Sequence, residues 1–249
     1  MKYTIYILIS VMGLFLLSCD KKTDDDTGDL NFRFKLMYGD KPMEMFKTYD
    51  YPVTNDKFQM TRLSFYISDL TIKTQNDATM IKDIDYLNVT NSHTAPVAAN
   101  GFEYKFLGIK VGNYQTVDFG IGVPKEMNAQ APKDFDSNHI LSSSAEYWTS
   151  WKSYVFFKPE GIIGLNGNPT PETPFALHLG GDDALRKITL AKPFTVSKDQ
   201  VTNVDIILDM QKFFNGKSLY ELSKTQQIHS VSQLTLINQL ADNMQISFR

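Results

Sequence analysis

The stretch "LNFRFKLMY", residues 30–38, alternates strictly. Leu30, Phe32, Phe34, Leu36 and Tyr38 fall on one side of an extended chain, and Asn31, Arg33, Lys35 and Met37 on the other. A period of two places successive side chains on opposite faces, so this is a strand with one dry face. The turn signal "GDKP" follows it. The same pattern recurs in "RLSFYISDLTIKT" (62–74), where the phase slips at Ser68-Asp69 and predicts a bulge or bend. Further short strands are read at "MIKDIDYLNV", "GFEYKFLGI", "YQTVDFGIGV", "SYVFFK", "FALHLGG", "RKITLAKPFTV" and "TNVDIILDM". Only "VSQLTLINQLADNM" (231–244) spaces its apolar residues at three and four, as a helix does, and "QKFF" (211–214) predicts one helical turn. Many short strands with turns every 8–15 residues imply an all-β fold, an antiparallel β-sandwich closed by a short C-terminal helix. No repeat and no linker divides it.

Composition supports a folded domain. Hydrophobic residues make up 42% and charged residues 21% of the 249, enough to bury a core. Net charge is −3, and no basic stripe offers itself to phosphates, so nucleic acid is not an expected partner.

The first residues read as an export signal. Lys2 precedes the apolar run "YTIYILISVMGLFLL", which is shorter than the roughly 20 residues that span a bilayer. "LLSC" then ends at Cys19 with the small Ser18 before it and Leu16 three before it, a lipobox. The expected organisation is a signal peptide (1–18), acylation of Cys19, an acidic tether (19–29) holding Asp24, Asp25 and Asp26, and one domain over 30–249. Several acyl chains together anchor stably where one binds only marginally. This places the protein in the cell envelope, lipid-anchored to the outer membrane, periplasmic or surface-exposed. Cys19 is the only cysteine, so the mature domain has neither disulfide nor thiolate chemistry.

Catalytic signatures are missing from the sequence: G-x-G-x-x-G, the P-loop, H-E-x-x-H, the EF-hand loop and G-x-S-x-G all fail to match. The chain is therefore read as a binding protein and not an enzyme. Metal donors are few. His93 ("NSHTAP") and His139 ("SNHIL") lie in polar loops, and His229 lies near the last helix. His178 sits in the apolar strand "FALHLGG", sharing a face with Ala176, while Phe175 and Leu177 take the other. A lone strand histidine is most often a hydrogen-bonded structural residue. Met43 and Met45 in "MEM" offer thioethers to Cu(I), although methionine more commonly fills gaps in cores.

The order of these segments resembles the MbnP-like family, periplasmic or lipid-anchored β-sandwich proteins related to a methanobactin-associated copper protein. The resemblance runs through "LNFRFKLMYGDKPM", "MTRLSFYISDLTIKT", "GNYQTVDFGIGVPKEMN", the tryptophan region, "FALHLGG" and "LADNM". In the tryptophan region the family pattern is matched by Tyr147, Trp148, Thr149, Tyr154, Phe156, Phe157, Lys158, Glu160 and Gly161. Glu146 stands where the family has Met, Ser150 takes the second Trp position with Trp151 one residue late, Ser153 replaces Gly, and Pro159 replaces an aliphatic residue. The resemblance implies a Cu(I) site of two imidazoles and one tryptophan oxidised to kynurenine by a partner dihaem peroxidase-like enzyme. It points to Trp148 as the modified residue and His178 as one imidazole, with His139 or His93 as the second. The implied role is copper capture or delivery; the alternative is a scaffold lipoprotein of the outer membrane that binds no metal.

Overall fold

The computed structural model describes residues 26–54, 56–230 and 232–249. Cys19 and the segment read as a signal peptide lie outside these residues.

The first strand, β1 (Thr27–Tyr38), is the centre of the smaller sheet. It is followed by the short β2 (Lys41–Pro42) and β3 (Tyr49–Asp50), the long β4 (Lys57–Lys73), β5 (Ala78–Asn88), β6 (Phe102–Lys110) and β7 (Gly112–Ile121). A one-turn helix α1 (Lys125–Asn128) opens the long polar segment, which is otherwise three single 3-10 turns. Then come β8 (Tyr147–Trp148), β9 (Ser153–Ile163), β10 (Thr173–Leu177), β11 (Leu179–Gly180), β12 (Arg186–Val196) and β13 (Val201–Asp209). Helix α2 (Met210–Phe214), the short β14 (Gln227–Ile228) and helix α3 (Leu234–Ser247) complete the chain.

The smaller sheet has the order β13-β1-β2, with β6 also on β1. The larger runs β12-β7-β4-β9-β10-β14; β3 and β5 add to β4, and β11 to β9. The sequence-predicted sandwich and C-terminal helix are thus present, but the sheets are mixed: β1 pairs with β13, and β10 with β14, in parallel. The alternating face of β1 is the core. Leu30 and Phe32 are wholly buried, and Phe34 and Leu36 nearly so. Phe34 packs edge-on against Phe65 of β4 and Phe119 of β7, and Phe32 against Phe194 of β12. Each such ring removed from water is worth about 1.5–3 kcal/mol.

β1 begins at Thr27, inside the segment read as tether. Thr27–Asp29 carry no apolar side chain, and the sheet takes them by polar groups: Asp29 N–H donates to the Gln200 carbonyl at 2.8 Å, and its carboxylate accepts from Gly108 N–H. The phase slip predicted at Ser68-Asp69 is a bulge, with Asp69 at φ +52° and the registers with both β5 and β7 shifting there. Met43 and Met45 are buried in the core. Helix α2 is capped by Asp209, whose carboxylate accepts from the N–H groups of Gln211 and Lys212, supplying the partner that a helix start lacks. Helix α3 buries Ile237, Leu240, Ala241 and Met244. Its fully buried Asn243 accepts from Lys217 N–H and donates to the carbonyls of Phe213 and Ser218, which docks α3 onto the loop after α2.

Candidate metal centre

The site is built where four pieces of the larger sheet meet. β8 and β9 form a hairpin, with Tyr147 opposite Tyr154 and Trp148 opposite Ser153. Its tip, Thr149–Lys152, closes through Trp151 N–H to the Trp148 carbonyl, and Lys152 takes a positive φ of 51°. The hairpin is pinned by the polar segment before it. The Asn128 side-chain oxygen accepts from Ser153 Oγ and the Tyr154 N–H, and Tyr154 Oη donates to the Leu141 carbonyl.

β10 antiparallel to β9 places Ala176 opposite Glu160. His178, two residues beyond Ala176, therefore emerges on the same face diagonally from Glu160. β14 runs parallel to β10 with Ala176 beside Gln227 and Leu177 beside Ile228. The next pair in that register is His178 and His229. Parallel strands ending at one level thus bring together two imidazoles that are remote in sequence.

The three rings form a triangle. Trp148 stands edge-on to His178 with centroids 5.0 Å apart, and 5.3 Å from His229. His178 and His229 stack at 4.8 Å. Trp151 lies 4.6 Å from Trp148 on the other side, and its indole N–H donates to the His229 carbonyl at 2.9 Å. Trp151 is buried and fits against Gly180, where a Cβ would come within 2.9 Å of the indole. Trp148 is half-buried and His229 exposed, so the triangle opens to solvent on one side.

The electrostatics are asymmetric. His178 is 5% exposed. Its Nε2 is 2.8 Å from Glu160 Oε1, whereas its Nδ1 is buried without a hydrogen-bond partner. Buried polar atoms are seldom left without a partner, so this nitrogen calls for an explanation. The bond to His178 holds the Glu160 carboxyl below its ordinary range, with Lys158 and Arg62 adding to the effect against the opposing cost of burial. Partial burial pushes the His229 imidazole below its ordinary value, and neighbouring His178 lowers it further. Behind Glu160 sits a charge cluster. Buried Glu146 binds Lys158 Nζ at 2.9 Å, Arg62 Nη2 at 2.6 Å and Tyr86 Oη at 2.8 Å, and Lys158 reaches Glu160 at 3.9 Å.

Of the residues singled out in the sequence, Trp148 and His178 are brought together. The other two histidines are not part of the triangle. His139 caps a 3-10 turn, its Nδ1 accepting from Leu141 N–H at 3.1 Å, and its ring stacks on Phe135. His93 is fully buried, with Nε2 accepting from Leu36 N–H and Nδ1 bonded to the Val89 carbonyl. His93 has both ring nitrogens engaged in local structure, and His139 has its Nδ1 engaged. The imidazole placed beside His178 is that of His229, which the sequence reading did not single out; it carries a signal, since "ALH" and "QIH" each end a short strand in an aliphatic residue followed by histidine. Among the described residues, no three His, Cys, Asp or Glu side chains converge in a way that could hold a metal. Two imidazoles and an indole do converge.

Comparison with known proteins agrees with this architecture. The MbnP family profile matches residues 27–232. MbnP from Methylosinus trichosporium has a similar solved structure, with a TM-score of 0.51 over 77% of this chain and 78% of that one at 10% identity, a likeness of fold. No curated protein sequence matches the chain. With the profile spanning most of its length, the chain belongs to the MbnP family.

Proposed function

We propose that this protein is a copper-binding lipoprotein of the cell envelope that holds Cu(I) as cargo, for capture or delivery, and performs no turnover of its own. The observation that carries the reading is the triangle of Trp148, His178 and His229 with one buried imidazole nitrogen left without a partner. Soft Cu(I) is suited by few neutral nitrogen donors. Two imidazoles supply two. An indole is a poor donor, but oxidation of Trp148 to kynurenine by a dihaem enzyme of the envelope adds a neutral aryl amine beside both. Trp148 touches both imidazoles, whereas Trp151 already donates its indole N–H to a carbonyl, so Trp148 is the residue to be oxidised. Rigid strands hold His178 and the hairpin holds Trp148, so little ordering remains to be done on binding.

The test is peptide mass spectrometry with metal analysis on protein from its native envelope. The expected result is Trp148 carrying the mass change for kynurenine, Trp151 unmodified and copper bound. Protein made without envelope partners should contain ordinary tryptophan and bind copper poorly. Unmodified tryptophans with no copper in the native protein would leave the scaffold role. The anchor is tested separately: Cys19→Ala should release the protein from membranes, and a variant that still sediments with them would refute lipidation.

A further inference from the structure

We propose that Glu160 is a positioning residue for the copper site: it fixes His178 as the Nε2–H tautomer and thereby presents Nδ1 as the metal-ligating atom. The inference rests on the copper reading above and deepens it by assigning the donor atom and the residue that selects it.

The argument begins with the one short bond that the His178 ring makes. Glu160 Oε1 lies 2.8 Å from Nε2. A carboxylate oxygen accepts only, so the ring nitrogen facing it carries the proton. A neutral imidazole has one N–H, and its other nitrogen then bears a lone pair. That nitrogen, Nδ1, is the buried atom that no donor satisfies. In a ring 5% exposed, a bare lone pair with no partner is costly unless something else takes it.

Glu160 is itself held, which separates it from a chance surface pairing. Its side chain is 28% exposed and could turn outward. Lys158, two residues away on the same face of β9, keeps its ammonium 3.9 Å from the carboxylate. Lys158 is in turn fixed at 2.9 Å by Glu146, which also takes Arg62 and Tyr86. Glu146 and Lys158 are buried, and through Lys158 they root the carboxylate that the imidazole needs. A carboxylate on the distal N–H of a ligating imidazole sets its orientation and raises its basicity. Among the described residues His229 has no such partner. It is held through its backbone carbonyl by Trp151, so the two imidazoles differ in how firmly they are placed.

The experiment uses protein from the native envelope carrying 15N-labelled histidine, with the modification state of Trp148 matched between variants by mass spectrometry. Long-range 1H–15N NMR on the metal-free protein reads the His178 tautomer, and competition with a chromophoric chelator reads Cu(I) affinity. Wild type should show the Nε2–H tautomer. Glu160→Ala should mix the tautomers and weaken Cu(I) binding by about 10–100-fold. Glu160→Gln, whose amide oxygen still accepts, should keep the tautomer and stay within a few-fold (about threefold) of wild type. A merely structural Glu160 would not move the tautomer. An Nδ1–H tautomer in wild type, which needs no variant to observe, would overturn the proposal. So would copper binding in Glu160→Ala equal to wild type, and that outcome leaves the copper reading intact. Native protein that binds no copper despite the expected tautomer would instead sink the copper reading and this inference with it.

Discussion

His178 and His229 stack with ring centroids 4.8 Å apart and planes 30° from parallel, because β10 and β14 run side by side in the same direction and end at one level. The pairing rests on only two residues of each short strand, Ala176 and Leu177 against Gln227 and Ile228. The hydrogen bond from His178 N–H to the Ile228 carbonyl at 3.2 Å extends the ladder to the rings themselves.

The histidines should therefore separate cleanly in a metal-retention assay on native protein. His178→Ala and His229→Ala should each abolish bound copper, while His139→Ala should retain it, since that ring is committed to a turn and to Phe135. Circular dichroism should show the same fold in all three. Loss of copper in His139→Ala with retention in His229→Ala would reverse the assignment.

Glu146 should matter more for stability than an exposed carboxylate would. Removing it by Glu146→Ala leaves Lys158 buried without its nearest counter-charge, a change that typically costs about 3–5 kcal/mol. Glu146→Gln keeps two hydrogen-bonding positions and should lose less. Urea unfolding of the purified domain measures both, and a shift of less than about 1 kcal/mol in Glu146→Ala would show the cluster to be solvent-screened.

Gly161 follows Glu160 where β9 lies between β4 and β10 in the larger sheet. A Cβ there would lie 2.1 Å from the Gln59 carbonyl oxygen and 2.5 Å from the Phe175 ring. Backbone cannot yield as a flexible side chain does, so Gly161→Ala should destabilise by at least the about 1–3 kcal/mol typical of overpacking. It should also disturb the sheet beneath His178. Thermal unfolding that matches wild type would contradict this packing.

His93 predicts an acid sensitivity unrelated to copper. Burial holds its imidazole below the ordinary value of 6.5. Above that pH the ring is neutral in both the folded and unfolded chains, and its bonds to Leu36 and Val89 are intact. Below it, the unfolded chain takes up a proton that the folded ring resists, so stability falls as pH drops, by at most about 1.4 kcal/mol per pH unit for this one group. Urea midpoints at pH 7.5 and 5 should differ in this direction, and His93→Gln should flatten the difference. An unchanged slope in that variant would assign the acid lability elsewhere.

Local patterns carried much of this fold. The alternation at Leu30–Tyr38 identified the central strand, and the slip at Ser68-Asp69 marked the bulge, because both are consequences of a two-residue period that the chain carries within itself. "QKFF" and the C-terminal helix were legible locally too, the latter from apolar spacing of three and four. The parallel pairings were not, since nothing within β1 or β10 specifies a partner so remote. The site inherits that division. Trp148 and His178 were singled out through the family resemblance, which their flanking residues carry, whereas His229 becomes a neighbour only through the β10–β14 register. The start of β1 at Thr27 was hidden because those residues join the sheet by polar groups and bury no apolar side chain, which hydrophobic periodicity does not reveal.

The parallel ladder between β1 and β13 also sets a clock. Asn31 and its partner Asn203 are 172 positions apart. At the ~5–20 residues per second of synthesis, β13 trails β1 by roughly ten to thirty seconds. Over that interval Leu30, Phe32, Phe34 and Leu36 have been made, and β6 on one side of them follows, but β13 on the other side is still missing. The last residues arrive later still, when Phe248 bridges Leu208 and Arg249 exchanges backbone hydrogen bonds with Ile207. A chain wired in this way cannot complete its smaller sheet until β13 has been made.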